Sequence, residues 1–193
     1  MEAEGARASK YSYAALIDAA VRAKDGAAAA AFFDGMVRAG IAADAVSYTL
    51  RLRGFLEAEG GGGGVEAAFA LLDEMEAAGG ECAPNAITFN ALLAGCLATA
   101  DGSLVRRAIA RMLSRRVAPN WKTYRLLAAP PPVPPHTPPH AAAARQLEYL
   151  LGVVDEFEAW GRQLNGEVYL RLLAVCAEAP RGAAVGAAMA ARA

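Results

Sequence analysis

The feature that most constrains this chain is a repeat of 35 residues. Residues 10–44 and 86–120 align over 35 positions without a gap. The matched positions pair Tyr13 with Phe89, Leu16 with Leu92, Ile17 with Leu93, Met36 with Met112 and Asp44 with Asn120. A fixed period of this length is typical of repeat proteins, in which each unit packs only on its neighbours. We therefore expect a stacked array and not one globular core.

Further segments follow the same pattern with insertions. Residues 45–85 form a copy that is lengthened mainly by the glycine run at 60–64. Residues 121–165 form a fourth copy with a proline-rich insertion at 130–140, after which the pattern resumes around Leu147. Residues 166–193 read as an incomplete fifth copy, and residues 1–9 as an N-terminal tail. The sequence thus predicts five tandem repeats.

Each copy divides into two helices by the spacing of its apolar residues. In the first copy the first stripe contains Tyr13, Leu16, Ile17 and Ala20, and the second contains Phe32, Phe33, Met36 and Val37. Turn residues Asp25-Gly26 and Asp101-Gly102-Ser103 fall between the helices, and Gly40 and Pro119 lie where second helices are expected to end. The predicted fold is all-α, an α-solenoid of stacked antiparallel helical hairpins.

Composition excludes several classes of protein. The formal net charge of -1 gives no overall electrostatic case for binding nucleic acid or an anionic membrane. The three cysteines form no CxxC pair, and Cys96 and Cys176 occupy the same apolar position of first helices, where a buried hydrophobic role is expected. No apolar run is long enough to cross a membrane. The first ten residues, MEAEGARASK, contain two glutamates and no apolar core, and they resemble neither a secretory signal nor an Arg-rich transit peptide.

The repeat resembles the pentatricopeptide repeat family. Ala86-Ile87-Thr88-Phe89-Asn90 is similar to the Val-Thr-Tyr-Asn opening of that family, and Ala118-Pro119-Asn120 to its Pro-Asp or Pro-Asn closure. The resemblance covers residues 10–193, is strongest in the first three units, and is to repeats of the P type without an appended catalytic domain. Ala14 and Arg125 depart from the small polar residue that the family has near the start of a unit.

The resemblance implies binding of single-stranded RNA, with each repeat reading about one base. In this family the fifth and last residues of a unit read the base. The corresponding pairs are Ala14 with Asp44, Thr49 with Asn85, Asn90 with Asn120, and Arg125 with Asn165. By family tendency the second pair favours adenine and the third cytosine. Base stacking or phosphate contact is expected of Tyr11, Val46, Ile87 and Lys122.

Several alternatives stay open. The closing asparagines are equally expected as helix-capping residues. Residues 54–85 hold seven acidic and no basic side chains, whereas residues 86–129 hold seven basic and one acidic. This asymmetry fits an RNA-binding patch, a solvated face or an intramolecular complement. A protein-interaction scaffold is therefore the alternative to RNA binding.

No cofactor, metal or small-molecule substrate is expected. His136 and His140 are four residues apart, but Thr and Pro lie between them in a proline-rich segment, which argues against a metal site. No nucleophile, carboxylate cluster or zinc-binding set indicates catalysis, so we expect a binding protein and not an enzyme. Localisation in a chloroplast or mitochondrion follows from the resemblance alone.

Overall fold

A computed structural model describes residues 9–58, 63–99, 101–128 and 136–161, together with residues 166, 169, 170 and 174. The described residues form eight α-helices and a short 3-10 helix at Gly80–Cys82, with no strand among them. The helices are α1 Lys10–Arg22, α2 Gly26–Arg38, α3 Ala45–Glu57, α4 Gly63–Ala78, α5 Ala86–Ala98, α6 Gly102–Ser114, α7 Trp121–Ala128 and α8 Pro139–Ala159. Most of the predicted fifth repeat, including Cys176, lies outside the described residues. Asn165 also lies outside them.

Side-chain caps explain where several helices begin. Asp25 accepts a hydrogen bond from the backbone N–H of Ala28 before α2, and Asp101 accepts one from the N–H of Ser103 before α6, at 2.9 and 2.8 Å. Hydrogen bonds from the Ser103 hydroxyl and N–H hold the pKa of Asp101 below its ordinary value. The Asp-Gly segments predicted as turns therefore cap second helices, with the glycine as the first helical residue.

Left-handed residues end the second helices. Gly40, with φ 74°, follows α2 and confirms the predicted stop. The expectation that Pro119 ends the corresponding helix is wrong, because α6 ends at Ser114. Arg116, with φ 58°, takes the place that Gly40 has after α2. A non-glycine residue can adopt this conformation, so composition alone did not reveal the stop.

The chain divides into two compact units, Met1–Gly95 and Cys96–Ala193, with α5 crossing the boundary. In the first unit α1 packs on α2, α3 packs on α4, and α3 also contacts both α1 and α2. The short connections make each pair an antiparallel hairpin. The core between α1 and α2 contains Ile17, Ala20, Val21, Ala29, Phe33 and Met36. Stacking of one hairpin on the next is thus present in this unit.

Two members of the predicted stripes are exposed, whereas Tyr13 and Phe32 are partly buried and pack against this core. Leu16 is 44% exposed and Val37 is 52% exposed. Val21 and Ala29, which the predicted stripes do not include, are buried. A 3.6-residue period leaves residues at the edge of a stripe undecided until the neighbouring helix is positioned. Leu16 and Val37 therefore belong to the stripes by spacing but are not buried.

The second unit is built on α6, α7 and α8. Helix α8 contacts both α6 and α7. Tyr149 of α8 donates its hydroxyl to the carbonyl oxygen of Leu127 in α7, at 3.3 Å, and burial raises the pKa of Tyr149. The rings of Tyr124 and Phe157 lie 5.9 Å apart between the same two helices. Cys96 is fully buried, as expected.

The second helix of the fourth repeat begins earlier than predicted. Helix α8 starts at Pro139, inside the predicted insertion, and not around Leu147. Proline is tolerated at the first helical position because the N–H that it lacks would have no partner in the helix. His140 consequently lies in the first turn of α8. None of the helices in the described part of the chain has the length and apolarity needed to cross a bilayer.

Candidate nucleic-acid interface

In the described part of the chain, the closing residues of the first three predicted repeats cap the first helices that follow them. Asp44 Oδ1 accepts hydrogen bonds from the N–H and hydroxyl of Ser47, at 2.9 and 2.8 Å. Asn85 Oδ1 accepts from the N–H groups of Ile87 and Thr88, at 2.8 and 3.2 Å. The capping interpretation is therefore confirmed for Asn85, and Asp44 caps its helix in the same way.

Asn120 plays the same part in the second unit. Its Oδ1 accepts from the N–H groups of Lys122 and Thr123, at 3.0 and 3.1 Å, and its own N–H donates to the Thr123 hydroxyl at 3.1 Å. Asn120, like Asn85, thus precedes a first helix whose third residue is threonine. Asn165 lies outside the described residues.

The amide nitrogen of Asn85 takes no part in the helix cap. Backbone N–H groups can only donate, so the atom that receives both of them must be Oδ1, and Nδ2 is the other branch. Asn85 is exposed, and Nδ2 makes no hydrogen bond to any described residue. The cap and a donor to a ligand are therefore compatible in one side chain.

The predicted fifth positions differ in exposure. Thr49 and Asn90 are 7% and 3% exposed, Ala14 is half-buried, and Arg125 is exposed. The Thr49 hydroxyl donates to the carbonyl oxygen of Ala45 at 2.6 Å and lies 2.8 Å from the hydroxyl oxygen of Thr88. Thr49 thus lies in a hydrogen-bond network that reaches from α3 to α5.

The predicted second positions are all exposed. Tyr11, Val46 and Ile87 are 85%, 59% and 68% exposed, and Lys122 is exposed as well. Each precedes the fifth position by three residues, so the two lie on the same face of their helix. A large exposed side chain therefore stands beside each buried or half-buried fifth position in the first three of these helices.

At the first closing residue, a charge pair replaces the neutral amide. Lys10 Nζ lies 2.6 Å from Asp44 Oδ2. Burial alone would raise the pKa of Asp44, but hydrogen bonds from Lys10 and from Ser47 outweigh it and lower the pKa. The hydrogen bond to Asp44 in turn raises the pKa of Lys10. Both carboxylate oxygens of Asp44 thus have partners within the protein, and the ionised side chain has no hydrogen-bond donor to offer a ligand.

Arg125 is held over an aromatic ring. Its guanidinium carbon lies 5.2 Å from the centroid of the Trp121 ring, a cation–π arrangement between the first and fifth residues of α7. Trp121 is 68% exposed. With Lys122 between them in sequence, these residues form an exposed aromatic and basic face on α7.

Of the seven basic residues between positions 86 and 129, five lie on or just after α6, a second helix. They are Arg106, Arg107, Arg111, Arg115 and Arg116, of which Arg107, Arg115 and Arg116 are exposed. The acidic side chains Glu66, Asp73 and Glu74 are exposed on α4, also a second helix. The charge asymmetry of the sequence is thus carried by second helices, whereas the predicted base-reading residues begin first helices.

The comparison with known families identifies the repeat. The pentatricopeptide repeat domain family matches residues 31–98 and again residues 70–128, which together span half of the chain. The chain belongs to the pentatricopeptide repeat family. No curated protein matches it by sequence.

Solved structures give the same pentatricopeptide repeat fold. The crystal structure of the pentatricopeptide repeat protein PPR10 from maize matches with a TM-score of 0.65 and 24% identity, over 96% of this chain and 24% of that one. PPR10 in complex with an 18-nt psaJ RNA element matches with a TM-score of 0.64 and 24% identity, over 98% of this chain and 25% of that one. The chain therefore spans about a quarter of the length of these structures. The predicted α-solenoid of helical hairpins is confirmed.

Two residues that contact the closing residues of these pentatricopeptide repeats were not singled out as site residues from sequence. They are Lys10, which pairs with Asp44, and Thr88, which lies between Thr49 and Asn85. A signal for the second was present, because the closing residue is followed three positions later by Ser or Thr at Ser47, Thr88 and Thr123. That spacing is typical of a helix cap.

Proposed function

We propose that this chain binds single-stranded RNA and reads bases with side chains at the starts of its first helices. The observation that carries the proposal is the group formed by Thr49 and Asn85 beside Val46 and Ile87. Asn85 offers the N–H groups of Nδ2, Thr49 offers a hydroxyl oxygen, and the two apolar side chains are exposed. Polar groups for a base edge next to apolar surface for its faces are what recognition of an unpaired base requires.

Membership of the family supports RNA as the ligand. One of the matching solved structures is a complex of PPR10 with an RNA element. For this chain we propose adenine opposite Thr49 and Asn85, and cytosine opposite Asn90 and Asn120. Ala14 with Asp44 is proposed to read no base, because Ala14 lacks a polar side chain and Asp44 is bound to Lys10 and Ser47. Arg125 with Asn165 is left without a base assignment.

The proposed binding is weak for this chain alone. Two bases at roughly 1 to 3 kcal/mol each supply less than the roughly 8 kcal/mol that micromolar affinity requires. Exposed Tyr11, Lys122 and Arg125 add stacking and phosphate contacts. We therefore propose dissociation constants above the micromolar range and binding that weakens with salt.

Fluorescence anisotropy tests this function directly. Labelled single-stranded RNAs with and without a central A-C element are titrated at two salt concentrations with wild type and Asn90→Asp. Tighter binding to the A-C element, with the preference at the second base moved from cytosine toward uracil by the substitution, supports base reading. A folded chain that binds no RNA would contradict the proposal.

The biological setting that we propose is RNA processing, stability or translation in a chloroplast or mitochondrion, without catalysis by this chain. The support is membership of the family. Imaging of a fluorescent fusion of the complete gene product in its own cells tests the location. A cytosolic signal would contradict it.

A second candidate is a scaffold that binds proteins. The exposed acidic face of α4, with Glu66, Asp73 and Glu74, favours it, because this face lies on a second helix away from the predicted base-reading residues. The anisotropy experiment separates the two functions. A scaffold gives no dependence on RNA sequence in wild type and no effect of Asn90→Asp.

A further inference from the structure

The hydroxyl of Thr88 connects the two predicted base-reading residues of the second repeat. Thr88 Oγ1 lies 2.8 Å from Thr49 Oγ1 and 3.5 Å from the backbone nitrogen of Asn85. Thr88 is fully buried. It therefore reaches both residues but offers no surface to a ligand.

The directions of these hydrogen bonds follow from counting protons. The Thr49 hydroxyl has one proton, and the only role that the carbonyl oxygen of Ala45 can have at 2.6 Å is to accept it. The proton between the two threonines must then come from Thr88. Thr88 oxygen in turn accepts the N–H of Asn85. Each hydroxyl thus donates once and accepts at least once.

This arrangement determines what Thr49 presents to a base. Its proton is used by Ala45 and one lone pair by Thr88, so one lone pair is left, and Thr49 can only accept. Asn85 is used at Oδ1 and can only donate through Nδ2. The pair therefore offers an acceptor from α3 and a donor from the start of α5.

We propose that Thr88 is a positioning residue for base recognition. Its hydrogen bond uses one lone pair of the Thr49 hydroxyl and so directs the remaining lone pair toward the exocyclic amino group of adenine, while Asn85 donates to the adjacent ring nitrogen. The inference rests on the proposed RNA-binding function and adds a residue that does not itself touch RNA. Adenine carries an amino donor next to a ring acceptor, which complements this pair of groups.

Chemical removal of the amino group gives the test. Labelled RNAs carry either adenosine or purine riboside, which lacks the amino group, at the proposed adenine position. The dissociation constants of both RNAs are measured by anisotropy for wild type, Thr88→Val and Thr88→Ser. Valine keeps the shape of threonine without the hydroxyl, and serine keeps the hydroxyl.

Ser47→Ala is the matched control. Ser47 has the same place in α3 as Thr88 has in α5, is 1% exposed, and donates its hydroxyl to the capping Asp44. The fifth position of the preceding unit there is Ala14, which has no hydroxyl to position. The control thus removes a buried cap hydroxyl without altering a base-reading group.

We expect wild type, Thr88→Ser and Ser47→Ala to prefer adenosine over purine riboside by about fivefold, the effect of one hydrogen bond. Thr88→Val should lower this ratio to about one while thermal unfolding shows that it remains folded. A ratio unchanged in Thr88→Val would overturn the positioning role and leave RNA binding intact. Absence of RNA binding by folded wild type would instead overturn the proposed function and this inference with it.

Discussion

The two places where α3 meets neighbouring first helices use the same cap with different chemistry. At the first junction, defined by Lys10, Asp44 and Ser47, a carboxylate caps α3 and both of its oxygens have partners within the protein. At the second junction, defined by Thr49, Asn85 and Thr88, a neutral amide caps α5 and keeps its Nδ2 donor. Both side chains cap a helix, but only Asn85 keeps a hydrogen-bond donor. In the proposed function this difference separates a repeat that reads a base from one that does not.

The largest effect that we predict concerns the packing of neighbouring helices against the C-terminal end of α3. A Cβ added at Gly26 would lie 2.6 Å from Ala58 Cβ and 2.9 Å from the Gly54 carbonyl oxygen, both fixed to the α3 backbone. A Cβ added at Gly95 would meet the end of the Leu56 side chain, which is only half-buried and can rotate. Gly26→Ala should lower the free energy of unfolding by about 2 kcal/mol.

Gly95→Ala is the control for that substitution. The gain of roughly 1 kcal/mol in helix propensity should offset most of the cost of moving Leu56. Urea unfolding followed by far-UV circular dichroism measures both variants. Equal destabilisation by the two would contradict the view that Gly26 faces rigid backbone and Gly95 a movable side chain.

The starts of the helices at both junctions can be predicted from sequence, but the hydrogen bonds between helices cannot. First helices begin at Lys10, Ala45, Ala86 and Trp121, the residues at which the sequence places the starts of repeats one to four. This agreement supports the division into repeats, which stays a prediction, and arises because caps and apolar spacing act within a few residues. Thr49 and Thr88 are 39 residues apart, and their hydrogen bond exists only because the folded chain places α5 beside α3.

The exposure of the candidate site residues could not be predicted from the sequence either. Val46 and Thr49 lie on one face of α3, yet the apolar residue is exposed and the polar one buried. A hydropathy pattern predicts the reverse. The inversion comes from the Thr49 hydrogen bonds to Ala45 and Thr88, which satisfy the hydroxyl inside the protein.

Truncating the two capping residues should separate stability from RNA recognition. Asp44→Ala and Asn85→Ala each remove an N-cap, which costs about 1 kcal/mol in the free energy of unfolding. Only Asn85→Ala should also reduce the preference for adenine at the proposed position, by about fivefold, because only Asn85 has a donor left for a base. Urea unfolding and anisotropy titration measure the two effects. Loss of adenine preference in Asp44→Ala would show that the first junction takes part in reading this base.

Acidification should weaken the first junction and not the second. The pKa of Asp44 is lower in the folded protein than its unfolded value of about 3.9. Its stabilising contribution is therefore complete above pH ~4 and is lost as the pH falls through the folded pKa. Asp44→Asn keeps a capping side chain without this titration. The stability advantage of wild type over Asp44→Asn at neutral pH, below about 1 kcal/mol, should disappear once the pH has fallen below the folded pKa of Asp44.

The substitution Asn85→Asp tests the same effect at the second junction, because it introduces a titratable capping residue there. No lysine at this junction corresponds to Lys10. The corresponding first residue of that repeat is Ala45. The free energy of unfolding of this variant should fall on acidification, whereas replacing Asp44 by Asn should reduce the same dependence at the first junction. Identical pH profiles for wild type and Asp44→Asn would contradict the assignment of Asp44 as a titrating cap.

The smallest predicted effect is that of salt on the ion pair. The Lys10 side chain is 38% exposed, so its attraction to Asp44 is weakened by solvent and screened by ions. Lys10→Met should lower the unfolding midpoint slightly at low salt, and the difference from wild type should vanish near roughly 1 M salt, where the Debye length is about 3 Å. Lys122→Met is the control, because Lys122 is exposed and its side chain forms no ion pair in the described structure. A midpoint difference for Lys10→Met that persists at high salt would mean that the methylene chain of Lys10, and not its charge, stabilises the first junction.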